Sequence, residues 1–110
     1  MIGTINSIKD FHNFVDDNLG VLIYFSHEKC NVCKVLKPKI NNLLQEEFPN
    51  IKMFYSDTVL CPEIAAQNTI FTVPAIIIFF DGKEFLRKSR NIGIEELRKE
   101  IERPYKLMFN

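Results

Sequence analysis

Two cysteines separated by two residues, Cys30 and Cys33, are the side chains of this chain best suited to chemistry. They stand between a short apolar run and a helical pattern, which places both sulfurs in the first turn of a helix, close enough to bridge. There Cys30 faces unpaired backbone N–H groups and the positive end of the helix dipole, which favour its thiolate. We therefore expect Cys30 to attack a disulfide and Cys33, one turn further and more buried, to resolve the mixed disulfide.

A structural zinc site is the alternative reading of such a cysteine pair. Zinc requires four ligands, usually from a second pair of cysteines or histidines at similar spacing. His27 and Cys61 could in principle converge on Cys30 and Cys33, although no second pair is present in the sequence. The strand before the pair and the helix after it favour redox chemistry, so we predict neither a metal nor another cofactor.

Size and charge restrict the classes of function. The 110 residues, 46% of them hydrophobic, predict one domain over residues 1–110. The 14 basic and 14 acidic residues cancel, whereas a nucleic-acid-binding protein usually carries an excess of Lys and Arg. We therefore expect no nucleic-acid partner.

The apolar runs and the cysteine count bear on location. The longest runs, residues 21–25 and 73–80, are far shorter than the roughly 20 residues that cross a bilayer. Residues 1–6 do not resemble a signal peptide, and three cysteines is an odd number for a protein held by disulfides. We expect a cytoplasmic protein with no membrane association.

The hydrophobic periodicity predicts an alternating order of helices and strands. Helices are expected from Ile8 to about Asn18, from Cys30 to Phe48 with Pro38 inside it, from Pro62 to about Asn68, and from near Gly93 to about Arg103; strands are expected at residues 21–25, 51–56, 75–80 and 83–88. Asp81-Gly82 is a hairpin signal between the last two strands. This order predicts an α/β fold, a central mixed β-sheet flanked by helices.

Three segments together resemble the thioredoxin family. Residues 21–38, with Cys30-x-x-Cys33-Lys34 and then Pro38, are similar to that family's active-site strand and helix. Thr72-Val73-Pro74-Ala75 resembles its cis-proline loop, and residues 79–84 resemble its β-hairpin. The resemblance implies a thioredoxin fold over the whole chain, with Pro74 in cis beside the sulfurs and the backbone of Val73 offered to a substrate peptide.

The chain departs from the family around the cysteines. The family's Trp-Cys-Gly-Pro-Cys is here Lys29-Cys30-Asn31-Val32-Cys33, and Lys29 is either a cation that favours the thiolate or an ordinary exposed lysine. Tyr24 replaces the family's buried acid, either as a proton donor or, the interpretation we favour, as a core tyrosine with a satisfied hydroxyl. Met53 stands near the position of the family's partner lysine.

Three further features are left open by the sequence. The family's glycine at the docking rim aligns with Ser89-Arg90-Asn91, and Arg90 is either a selector of acidic partners or, the more common outcome, a solvated charge. Cys61 precedes Pro62 and is either a regulatory thiol or, as we favour, a half-buried residue without a redox role. The apolar tail at residues 104–109 packs on the domain or on a partner.

We interpret the chain as a thiol–disulfide oxidoreductase that reduces protein disulfides. Its expected partners are disulfide-containing proteins and an electron donor, either a thioredoxin reductase or another reductant. A binding module that keeps the fold with little or no redox turnover is the alternative, because the helpers of proton transfer are replaced.

Overall fold

A computed structural model describes residues 2–109, which form one five-stranded sheet with helices on both faces. The strands are β1 Gly3–Thr4, β2 Gly20–Ser26, β3 Ile51–Asp57, β4 Ala75–Phe80 and β5 Lys83–Ser89. The helices are α1 Ile8–Asp17, α2 Asn31–Glu47, α3 Pro62–Gln67 and α4 Ile94–Phe109. No helix within this part of the chain is long and apolar enough to cross a membrane.

The sheet is mixed, with the strand order β1-β3-β2-β4-β5. β3 runs parallel to both β1 and β2, while β4 is antiparallel to β2 and β5. Asp81 and Gly82 join the last two strands with positive φ values of 54° and 78°, as a two-residue turn between twisted strands requires. The predicted α/β architecture is confirmed.

The central strand β2 is buried along its whole length because helices cover both faces of the sheet. Leu22 and Tyr24 face the cluster formed with α2 and α4. Val21, Ile23 and Phe25 face a second cluster on the side of α1 and α3. A strand with two buried faces has no polar alternation, which explains its uninterrupted apolar sequence.

The first element differs from the predicted order, which began with a helix. Gly3 and Thr4 form a two-residue strand that pairs with Phe54 and Tyr55 of β3. A strand of two residues is too short to show an alternation of apolar and polar side chains. Glycine suits position 3 because a Cβ there would lie only 3.0 Å from the Phe54 ring. The helix α1 follows, capped by Ser7, whose hydroxyl accepts the N–H of Asp10 at 3.0 Å.

The last helix is longer than predicted. We expected it to end near Arg103, with a separate tail, but α4 continues through Pro104 to Phe109. Proline removes one helical hydrogen bond, and packing beyond it compensates: Tyr105 lies edge-to-face on Phe48, with ring centroids 5.0 Å apart. Phe109 contacts Phe80, so these two tail residues pack on the domain itself.

Candidate active site

The cysteine pair lies where β2 passes into α2. Cys30 is the N-cap of the helix and is joined to Cys33 by a disulfide, with the two Cα atoms 5.2 Å apart. The N–H of Cys30 donates to the His27 carbonyl at 3.1 Å, and its carbonyl accepts the N–H of Lys34 at 3.2 Å. A turn on one side and the helix on the other therefore fix the backbone of Cys30.

The two sulfurs differ in exposure and in electrostatic surroundings. Cys30 is half-buried, whereas Cys33 is completely buried. The N–H of Cys33 donates to Sγ of Cys30 at 3.2 Å, and the same donor at the positive end of the helix would stabilise a Cys30 thiolate after reduction. The accessible sulfur is thus the one suited to attack, and the buried sulfur is the one suited to resolve.

The proline loop lies at the same edge of the sheet as the disulfide. Antiparallel pairing of Phe25 with Ala75 sets Pro74 opposite the end of β2, from which the chain leads to Cys30. The Val73–Pro74 peptide bond is cis. Pro74 is buried, and the half-buried Val73 packs against both apolar clusters. A substrate-binding role for Val73 and Pro74 stays a prediction.

Tyr24 lies directly beneath the active-site helix. Its side chain is fully buried, and its hydroxyl donates to the carbonyl of Cys33 at 2.7 Å. Burial, followed by the nearby Tyr55, raises the pKa of Tyr24 to about 12. The hydroxyl is therefore protonated near neutral pH and satisfied by the backbone, in line with the core role that we favoured.

A polar group next to Tyr24 was not anticipated from the sequence. Tyr55 pairs with Tyr24 across the parallel strands, and its hydroxyl donates to Oδ2 of Asp57 at 3.5 Å. Nζ of Lys37 lies 4.2 Å from the Tyr55 ring centroid, a cation–π contact. Burial, and then the Asp57 carboxylate, raise the pKa of the Tyr55 hydroxyl. The sequence signal for this contact is the register of the two parallel strands: Ser26 pairs with Asp57 at their carboxyl ends, so Tyr24 and Tyr55, each two residues earlier, are also neighbours.

Asp57 has a structural task at the end of β3. It is almost completely buried, and its Oδ1 accepts the N–H groups of Val59 and Leu60 at 2.9 and 3.0 Å. These bonds fix the turn that leads into α3. Met53, two positions before Tyr55, is buried among apolar side chains and offers no titrating group.

The remaining predicted site residues lie on the surface around the disulfide. Lys29 is exposed and lines an apolar hollow together with Val59 and Leu60. Lys34 is exposed on the first turn of α2, and Pro38 is exposed inside that helix. The contribution of each to catalysis stays a prediction.

His27 and Cys61 are the other candidate metal ligands of the sequence. Among residues 2–109, no three His, Cys, Asp or Glu side chains are grouped so that they could hold a metal ion. Cys61 is a half-buried free thiol whose Sγ contacts the Asn6 carbonyl at 3.4 Å. Cys30 and Cys33 form a bridged pair, an arrangement suited to thiol–disulfide exchange.

Comparisons with known proteins agree with this arrangement. The family model described as Thioredoxin matches residues 4–103. The chain is 34% identical over 103 residues to the thioredoxin-like protein YdfQ of Bacillus subtilis, covering 94% of this chain and 91% of that protein. It is also 34% identical over 86 residues to a thioredoxin of Chlamydia trachomatis, covering 76% of this chain and 80% of the relative.

Solved structures show the same fold. Mitochondrial thioredoxin 3 of Saccharomyces cerevisiae in its oxidised form superposes with a TM-score of 0.83 at 23% identity, covering 92% of this chain and 93% of that one. Thioredoxin from Trypanosoma brucei brucei also gives a TM-score of 0.83, at 22% identity, with coverages of 96% and 92%. The family match and the bridged cysteines at the start of α2 support thiol–disulfide oxidoreductase activity, and the chain belongs to the thioredoxin family.

Proposed function

We propose that the chain reduces disulfides of other proteins by dithiol exchange at Cys30 and Cys33. The observation that carries the proposal is the unequal placement of the two sulfurs: Cys30 is half-buried at the N-terminus of α2, and Cys33 is completely buried behind it. In the reduced protein the Cys30 thiolate attacks one sulfur of the substrate disulfide and releases the other as a thiolate. The Cys33 thiolate then attacks Sγ of Cys30, which frees the second substrate thiol and leaves Cys30–Cys33 oxidised.

The nature of the substrate follows from the surroundings of the disulfide. The flanking surface carries exposed apolar side chains, with Val32 64%, Val35 59% and Leu60 78% exposed. An apolar rim around an accessible thiol suits an extended segment of a protein better than a small hydrophilic disulfide. We propose that turnover draws electrons from a thioredoxin reductase or another dithiol donor in the cytoplasm, a compartment in which Cys61 would remain a free thiol.

The first experiment is insulin reduction with dithiothreitol as the electron source. The wild-type protein should accelerate the reaction, and Cys30→Ser should reduce the rate to that of dithiothreitol alone. Cys33→Ser, reduced and then freed of dithiothreitol before insulin is added, should accumulate a covalent complex with insulin, because the first step proceeds and no thiol resolves the mixed disulfide. Cys61→Ser, which also removes one thiol, is the matched control and should keep the wild-type rate. Equal rates for wild type and Cys30→Ser would refute the proposal.

Two further measurements separate reduction from the other candidates. A Cys30–Cys33 reduction potential of about −270 mV indicates a reductant, whereas about −120 mV indicates an oxidant. Alkylation of Cys30 should show a thiol pKa below the usual value of about 8.5. A Cys30 that alkylates no faster at neutral pH than a model thiol would instead favour a binding module that keeps the fold without turnover.

A further inference from the structure

A groove of about 650 Å³ opens beside the disulfide, between the first half of α2 and the loop that joins β5 to α4. Val32 and Val35, both exposed, and the buried Ile92 provide its apolar surface. Lys39 from α2 and Arg90 from the loop are exposed at its margin. We call this surface the α2 groove. Val32 belongs to the Cys-x-x-Cys segment itself, so one end of the groove lies at the active-site turn.

The backbone of Arg90 is unusual in a way that points to its side chain. Its φ is 63°, in the left-handed region that disfavours residues with a Cβ, and its N–H donates to the Pro74 carbonyl at 2.8 Å. Glycine would make the same backbone bond without this cost. Among residues 2–109 the guanidinium has no carboxylate within 4.0 Å and no hydrogen-bond partner, so no polar interaction in the described fold accounts for an arginine. A strained position beside a reactive centre is grounds for a functional hypothesis.

The charges around the α2 groove do not cancel, although those of the whole chain do. Glu96 is the one acidic residue on its lining, and it shares Nζ of Lys88 with Glu100, at 2.6 and 2.7 Å. In the described part of the chain, Lys39 and Arg90 have no carboxylate within 4.0 Å. The lining therefore carries two cations, neither of them in an ion pair, against one acidic residue, which gives this apolar surface a net positive charge.

We propose that the α2 groove binds the segment next to the target disulfide of a substrate protein, and that it selects segments carrying Asp or Glu. An apolar side chain of the segment packs on Val32 and Val35, while its carboxylates approach Arg90 and Lys39. The proposal rests on the dithiol exchange proposed above. Exposed ion pairs are weak, so each cation should contribute a preference of about 1.5- to 5-fold, and both together about 2- to 25-fold.

The test uses three peptides that share one sequence around a single cysteine and differ only in flanking Glu, Gln or Lys residues. Each cysteine carries an uncharged 2-thiopyridyl group in disulfide linkage. Attack by Cys30 on the peptide sulfur releases 2-thiopyridone, which is followed by absorbance, and Cys33 then releases the peptide thiol. The rate constants are divided by those for dithiothreitol, which removes differences in the intrinsic reactivity of the peptides.

The wild-type protein should react with the Glu peptide fastest and the Lys peptide slowest, and added salt should reduce the difference. Arg90→Gly and Lys39→Gln should each lower the Glu-to-Gln rate ratio by about 1.5- to 5-fold, and Arg90→Lys should keep most of it. Lys83→Gln is the matched control, since it removes one exposed cation at the hairpin, the end of β5 remote from the disulfide. It should leave the ratio unchanged.

The outcomes distinguish this inference from the function on which it rests. Equal rates for the three peptides, an unchanged ratio in the Arg90→Gly/Lys39→Gln double variant, or an equal loss in Lys83→Gln would overturn the selection of acidic segments while leaving disulfide reduction intact. Failure of the wild-type protein to exceed Cys30→Ser on any of the peptides would overturn the proposed function instead.

Discussion

The hydrogen bond from Tyr24 to the carbonyl of Cys33 allows a sharp prediction for Tyr24→Phe. The substitution removes a single buried hydroxyl and leaves the aromatic ring in the core. A helical carbonyl in the first turn also accepts the N–H four residues further on, so the Cys33 carbonyl keeps one partner. The loss should therefore be that of one neutral hydrogen bond, about 0.5–1.5 kcal/mol of unfolding free energy.

The same geometry predicts how this loss divides between the two redox forms. The hydroxyl contacts the Cys33 backbone at 2.7 Å, not a sulfur. Its contribution to the free energy of unfolding should therefore be the same in the oxidised and the reduced protein, and Tyr24→Phe should remove it equally from both. Because about 30 mV corresponds to 1.4 kcal/mol for a two-electron couple, an equal loss leaves the reduction potential unchanged to within about 10 mV.

The assay is urea denaturation of both redox forms, combined with equilibration against a thiol–disulfide buffer to obtain the potential. Tyr105→Phe is the matched control, because its hydroxyl is exposed and accepts the N–H of Asn50 at 3.0 Å; it should cost less than about 0.5 kcal/mol. A stability loss confined to one redox form, or a potential shifted by about 30 mV or more, would show that the hydroxyl acts on a thiol and would refute the reasoning.

Three other predictions concern the rest of the domain. Gly20→Ala should cost about 1–3 kcal/mol of unfolding free energy by urea titration, because its Cβ would lie 3.1 Å from both the Asn50 carbonyl oxygen and the Phe109 ring; unchanged stability would contradict this packing. Phe109→Ala should lower the free energy of unfolding by roughly 2 kcal/mol, since the ring is half-buried. The rate of insulin reduction should not change, because Phe109 lies at the end of β2 remote from the cysteines. A lower rate under conditions in which the variant is fully folded would contradict this. The pKa values of Tyr24 and Tyr55 are raised in the folded protein, so the unfolded chain releases these protons at lower pH and the free energy of unfolding should fall as the pH rises from 10 to about 12. Urea titrations across this range measure the fall, and tyrosinate absorbance monitors the ionisation. An equal fall in Tyr24→Phe would exclude Tyr24 as a source.

Much of the fold could be predicted because the strongest patterns have direct physical causes. The apolar run of β2 arises from burial on both faces, and Ser7, Asp81 and Gly82 mark a helix start and a tight turn by their own side-chain and backbone preferences. The ends of the chain were less readable. β1 is too short to show periodicity, and Pro104 concealed a helix that is maintained by tertiary contacts beyond it.

The candidate site likewise has parts that the sequence predicts and parts that depend on the tertiary structure. The cysteine pair was evident because its spacing and its position at a helix start act locally. The contact of Lys37 with Tyr55 joins residues that are distant in sequence, so it depends on strand register and helix placement. The positive φ of Arg90 was likewise hidden, since sequence preferences alone would not assign a left-handed backbone to arginine.

Val73 belongs to both halves of the domain, because its half-buried side chain packs against the cluster under α2 and against the cluster under α1 and α3. The sheet otherwise divides the apolar side chains of its central strands between two separate layers. A peptide that pairs with the Val73 backbone would therefore restrict motion on both sides of the sheet. In amide hydrogen exchange, we expect a bound substrate to slow exchange not only around the cysteines but also in α3, on the opposite face.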